Sequence, residues 1–243
     1  GKKIRLTGCH SIFTLRKEHN LSQRSFGRRH RILQSRVSVY ENTKTVPLYI
    51  IKKLNLSKPN YISSGNKDVK IKNPFPLRIG SSLARILANL VGDCSIDSKK
   101  IIKENCYDFR YHNTNTNLIN RFIKDVKRIF EIDLAVRLAK SKQGHPPIYY
   151  VIVPAVIGGI TSVIFPDVIK KNAVKLHPEF YPEFIGSLFD DEGHSTKSET
   201  KLFISNINFK LLEDVKKMLE DLSIHSLIEK KQFKLYIRGR ENL

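Results

Sequence analysis

Apolar and polar positions alternate differently in the two ends of the chain. Residues 1 to about 58 have no long apolar run and close on the polar stretch "LSKPNYISSGNKDVKIKNPFP", which carries three prolines and reads as a linker over 59–76. From Leu77 onward the period lengthens. "LRIGSSLARILANLVGD" predicts an apolar helix, and "CYDFRYHN", "PIYYVIV", "TKLFISN" and "FKLYIRG" predict short strands between further helices. The expected fold class is therefore α+β over 77–243, preceded by a small all-α unit over 1–58.

The second part repeats itself. "FRYHNTNTNLINRFIKDVKRIFEI" (109–132) and "LFISNINFKLLEDVKKMLEDLSI" (202–224) share a strand, an Asn at 113 and 206, another at 115 and 208, a Leu at 118 and 211, and an amphipathic helix. Each copy follows an apolar helix with an acidic end, "ILANLVGDCSI" and "FIGSLFDDEGHS". Two copies of helix, two strands and helix imply a pseudo-twofold domain in one chain. Ala84, Ala88 and Gly92 in the first helix, and Gly186 and Ser187 in the second, offer small faces on which the two helices can pack. Asp93 and Glu192 would then meet at the helix ends. Carboxylates held close repel unless a hard divalent cation such as Mg²⁺ sits between them, and such an ion can activate water for phosphodiester hydrolysis. The plainer alternative for Asp190, Asp191 and Glu192 is a solvated turn.

Charge favours the first of these. Lys and Arg number 43 against 23 Asp and Glu, a net +20 that favours a polyanionic partner such as nucleic acid or an acidic membrane surface. The longest apolar stretch, "YYVIVPAVIGGITSVIF" from Tyr149, is broken by Pro154 and two glycines and reads as buried core rather than a membrane span. The three cysteines lack CxxC spacing, against a disulfide framework or a zinc site. With no secretory signal legible at the start, an intracellular protein is expected, cytoplasmic or nucleoid-associated, with no membrane partner. Pseudo-symmetry within one chain implies a monomer.

The two helix ends, "ILANLVGDC" and "IGSLFDDEG", resemble the paired LAGLIDADG motifs of homing endonucleases. The strand-then-Asn repeats resemble that family's αββαββ half-domains, over about residues 77–243. The second motif matches at Phe184, Leu188, Phe189, Asp190 and Gly193; the first has Cys94 where glycine is usual and Val91 where an acid is common. The resemblance implies a tandem LAGLIDADG domain that cuts both strands of double-stranded DNA, with Asp93 and Glu192 as catalytic, Mg²⁺-binding acids and the carbonyls of Gly92 and Asp191 as further ligands. Asp190 is implied to be structural, and Lys234 on the last strand to support catalysis. Basic side chains expected on the DNA-reading strands are Arg110, Arg137, Lys140, Lys142, Lys201, Arg238 and Arg240, mostly as phosphate contacts.

"LRKEHNLSQRSFGRRHRILQSRVSVYENTKTVP" (15–47) resembles a phage-repressor helix-turn-helix. Ser22 can cap a helix through Arg29 or His30, and a second helix from about Gln34 to Glu41 buries Val37 and Tyr40 against Phe26 and Ile32. Gln34, Ser35, Arg36 and Ser38 are left outward to meet DNA. Arg31 stands where a turn glycine is usual. A plain basic helical hairpin is the alternative. "RLTGCHSIFT" resembles an intein splicing block through Thr7 and His10, and points to an intein-associated origin. Besides a double-strand homing endonuclease, the sequence allows a cleavage-deficient DNA-binding protein on the same fold, a repressor or an intron maturase.

Overall fold

The computed structural model describes residues 4–7, 11–43, 45–56, 61–64, 69–72, 77, 79–96, 109–139, 146–195 and 202–237. They form two compact units, 1–77 with 104–106, and 78–103 with 107–243.

In the first unit, β1 (Ile4–Thr7) is followed by α1 (Ser11–Glu18), α2 (Gln23–Arg29) and α3 (Gln34–Thr43), then β2 (Thr45–Pro47), α4 (Leu48–Leu54), β3 (Tyr61–Ser64) and β4 (Lys70–Lys72). The helices were expected, but the unit is not all-α: the strands form an antiparallel sheet in the order β2-β1-β3-β4. Two of these strands come from the stretch read as linker. Their signal is short, and single apolar residues, Ile62 and Ile71, carry it by pairing across the ladder and burying completely or nearly so. Ser22 caps α2 by accepting from the Ser25 amide. Arg31 takes a left-handed φ of 50°, and the Ile32 amide returns to the Gly27 carbonyl at 2.8 Å, closing α2 as a Schellman turn. Phe26, Ile32, Val37 and Tyr40 form the core between α2 and α3, as the apolar spacing predicts.

The second unit contains two halves of the same plan. The first runs α5 (Ser81–Val91), β5 (Cys94–Ile96), β6 (Phe109–Asn113), α6 (Thr116–Phe130), β7 (Val136–Ala139) and β8 (Ile148–Val153). The second runs α8 (Tyr181–Glu192), β9 (Gly193–Ser195), β10 (Leu202–Ser205), α9 (Phe209–Asp221), β11 (Ser226–Glu229) and β12 (Lys234–Ile237). Between them lie α7 (Ala155–Ile164) and two 3-10 turns, Pro166–Lys170 and Pro178–Phe180. Both sheets are antiparallel with matching orders, β5-β6-β8-β7 and β9-β10-β12-β11. The tandem αββαββ expectation holds.

Strand alternation decides which residues face the helices. Phe109, Tyr111, Val151 and Val153 are buried in one sheet, and Ile204 and Leu235 in the other. Their neighbours Arg110, His112, Tyr150, Phe203, Lys234 and Tyr236 lie on the opposite faces. α5 and α8 pack side by side, and α5 is enclosed over most of its surface: Leu83, Ala84, Ile86, Leu87, Ala88 and Leu90 are fully buried, while Arg85 pairs with Asp125 on α6. Ala84, Ala88 and Ser187 lie in the interior as expected; Gly186 does not, being exposed with open space where a side chain would stand. "YYVIVPAVIGGITSVIF" divides at Pro154 into β8 and the buried α7, and no described helix is long and apolar enough to cross a membrane.

Candidate functional site

The α5–α8 packing brings the two acidic helix ends together. Gly92 lies so near the second helix that a Cβ there would stand 2.9 Å from Asp191 Oδ2. At the other end, a Cβ on Gly193 would meet the Phe189 carbonyl at 2.3 Å, so glycine is required where α8 passes into β9.

Each outer acid has an asparagine from its own half. Asn113 Nδ2 donates to Asp93 Oδ2 at 2.9 Å, and Asn206 hydrogen-bonds Glu192. The same asparagines set the chain for the next helix: Asn113 Oδ1 accepts from the Asn115 amide and Asn206 Oδ1 from the Asn208 amide, each at 2.8 Å. Asn115 and Asn208 then cap α6 and α9. The repeated Asn-x-Asn is therefore a turn, a cap and an acid clamp in one. The repeat is legible in the sequence but its role at the acids is not, although its matched placement after each acidic helix is a signal of it.

Asp191 is held differently. Tyr111 Oη donates to its Oδ1 at 2.7 Å and Asn89 Nδ2 to its Oδ2 at 2.8 Å, both from the first half. Asp190, read as structural, pairs with Arg121 at the surface. Tyr111 and Asn89 were missed because their counterparts in the second copy are apolar, so the repeat did not flag them.

The cation facing these acids is Lys171, from the segment joining the halves. Its ammonium donates to the carbonyls of Leu90 at 2.9 Å and Gly92 at 3.0 Å, and to that of Cys94. Burial lowers its pKa, opposed by Cys94, Glu192, Asp93 and Asp191. Burial, then Asp191 and Glu192, push Asp93 up to about 7; burial pushes Asp191 up to about 6 and Glu192 upward as well. Carboxylates with raised pKa values in one place are a site signature, since they hold proton or cation more readily than free acids.

The donors suit a hard cation in part. They are oxygens of carboxylates and amides, the set Mg²⁺ prefers. Yet the Gly92 carbonyl already receives Lys171, the Asp191 carboxylate already receives Tyr111 and Asn89, and no three described His, Cys, Asp or Glu side chains converge as a ready-made metal cluster. Asp93 and Glu192 are the acids that fit as ligands.

Of the expected DNA contacts, Arg110 and Arg137 are exposed on the outer face of the first sheet, opposite Ile152 and Tyr150 on β8. His112 stacks on Tyr150 there, 5.5 Å between centroids. On the second sheet Lys234 lies over the Phe203 ring at 4.7 Å, beside Tyr236 and His194. Lys140, Lys142, Lys201, Arg238 and Arg240 lie outside the described residues, as does His10; Thr7 lies on β1. In the first unit Gln34, Ser35 and Arg36 are exposed and Ser38 half-buried on α3. Arg16, Gln23 and Glu41 link the three helices, with Arg16 Nε 2.6 Å from Glu41 Oε1.

Residues 179–243 match the family model of a LAGLIDADG-like domain. The fold is of the LAGLIDADG type. The match covers the second half, and the matching strand order extends the same plan to the first. Among curated proteins no relative matches the chain. Solved structures similar to it include full-length DUF199/WhiA from Thermatoga maritima, 13% identical with a TM-score of 0.48, covering 70% of this chain and 56% of that one. Others are the homing endonuclease I-DmoI in mesophilic variants, 19% identical with a TM-score of 0.46, and I-DmoI in complex with DNA and Ca, 18% identical with a TM-score of 0.47. Each I-DmoI comparison covers 67% of this chain and 85% of that one. This chain thus spans little more than half the length of the WhiA protein.

Proposed function

We propose that the chain is a site-specific, Mg²⁺-dependent DNA endonuclease that breaks both strands, of intein-associated origin, with an N-terminal helix-turn-helix that lengthens its footprint. The observation that carries this reading is the meeting of Asp93 with Glu192 and Asp191 at the ends of two packed helices, each outer acid clamped by an equivalent asparagine. A divalent cation bound there would supply a water nucleophile at neutral pH and stabilise the leaving oxygen. The protein's part is placement. Asn113 and Asn206 hold Asp93 and Glu192 toward the junction, and the two outer sheet faces, with Arg110, Arg137 and Lys234, contact phosphate on either side. Gln34, Ser35, Arg36 and Ser38 on α3 reach base edges in a DNA groove.

A second reading has its own support. Lys171 occupies the Gly92 carbonyl, a group that a cleaving site would offer to metal, as expected of a DNA-binding protein that no longer cuts. Incubating the protein and its Asp93→Asn and Glu192→Gln variants with a randomised duplex library and Mg²⁺ separates the two. Cuts lost in either variant, with binding kept, support the endonuclease. Enrichment of bound sequences without any cut removes it.

A further inference from the structure

The role of Lys171 goes beyond the endonuclease reading and rests on it. The ammonium is built into place. Lys171 takes a left-handed φ of 57° after the Pro166–Lys170 turn, and its carbonyl accepts from Nδ2 of Asn208, the cap of α9, at 2.7 Å. The stem therefore enters from a fixed direction. Its three acceptors, the carbonyls of Leu90, Gly92 and Cys94, are the oxygens freed where α5 ends and β5 begins. Burying a lysine is costly unless its donors are met and its charge is faced, and here both conditions hold. Among the described residues, no second ammonium takes the carbonyls at the end of α8.

We propose that Lys171 is a resident cation at the first helix end: it occupies the Gly92 carbonyl that would otherwise ligate a divalent ion. The chain therefore binds one such ion, shared by Glu192 and Asp93, instead of two. The pseudo-twofold site is chemically asymmetric, with a fixed monovalent charge on one side and an exchangeable divalent charge on the other. Lys171 acts as a positioning residue, since it shapes the first helix end without itself reaching substrate.

Mn²⁺ titrated into the full chain, with free ion followed by its paramagnetic resonance signal, reads the stoichiometry directly. The wild type should bind one ion per chain, lost in Glu192→Gln. Lys171→Met, which keeps the stem and removes the charge, should bind two, while Lys171→Arg should stay at one. If the Met variant does not fold, Lys171→Leu, which also removes both the charge and the N–H donors, carries the same comparison. Two ions on the wild type, or one on every uncharged variant, overturns the proposal and leaves the metal-dependent reading standing. No ion on any of the proteins overturns both.

Discussion

Tyr111, fully buried on β6 of the first half, donates from its Oη to Asp191 Oδ1 at the end of α8 in the second half, 2.7 Å away. The bond ties one half's sheet to the other half's helix across the pseudo-twofold. Its strength comes from the charge on the acceptor and from the surrounding burial.

Tyr111→Phe removes this donor while keeping the ring against Phe122. A hydrogen bond to a charged group contributes about 1.5–3 kcal/mol, and the loss should fall in that range because Asn89 still holds the other carboxylate oxygen. Urea denaturation of the two proteins checks it, and an unchanged midpoint would show that Asp191 finds a replacement donor.

Metal-free protein should lose stability as pH rises from about 4 to 7. In the unfolded chain Asp93 and Asp191 release protons near their ordinary value of 3.8, whereas in the fold they hold them up to about 7 and 6. Over that window the unfolded state binds fewer protons, so stability falls with pH. Thermal melts of the wild type and of Asp93→Asn across this range test the sign; the variant should show a flatter profile.

The turn between α2 and α3 contains two opposite requirements. A Cβ at Gly27 would stand 2.5 Å from the Ile32 carbonyl, a clash with backbone, so Gly27→Ala should destabilise the first unit by about 1–3 kcal/mol. Arg31, at φ 50°, carries the strain of a non-glycine left-handed residue, and Arg31→Gly should relieve about 1 kcal/mol. Equilibrium unfolding of both variants decides, and effects of the same sign would contradict the geometry.

Arg110 and Arg137, exposed on the outer face of the first sheet, should act as phosphate contacts. Each Arg→Ala change should weaken duplex binding uniformly across sequences and lower the slope of log K against log salt by about 1. Affinities measured at several salt concentrations test this. A loss confined to particular sequences would instead identify a base contact.

The order of helices and strands in the second unit was legible from the sequence because each half buries one face, and burial imposes a period on the apolar residues. The repeat then made the pairing of Asp93 with Glu192 legible, since the same pattern must fold the same way twice. The first unit was only half legible. Its Phe26, Ile32, Val37 and Tyr40 core follows helical spacing, but β3 and β4 are too short to show a period, and Arg31 ends a helix without the glycine that marks such turns. What only the tertiary structure decided lies across the pseudo-twofold. Tyr111, Asn89 and Lys171 have no matching partners in the repeat and no local motif. They act at the acids because α5, α8 and the joining segment meet there, and a meeting of distant segments leaves no local trace in the sequence.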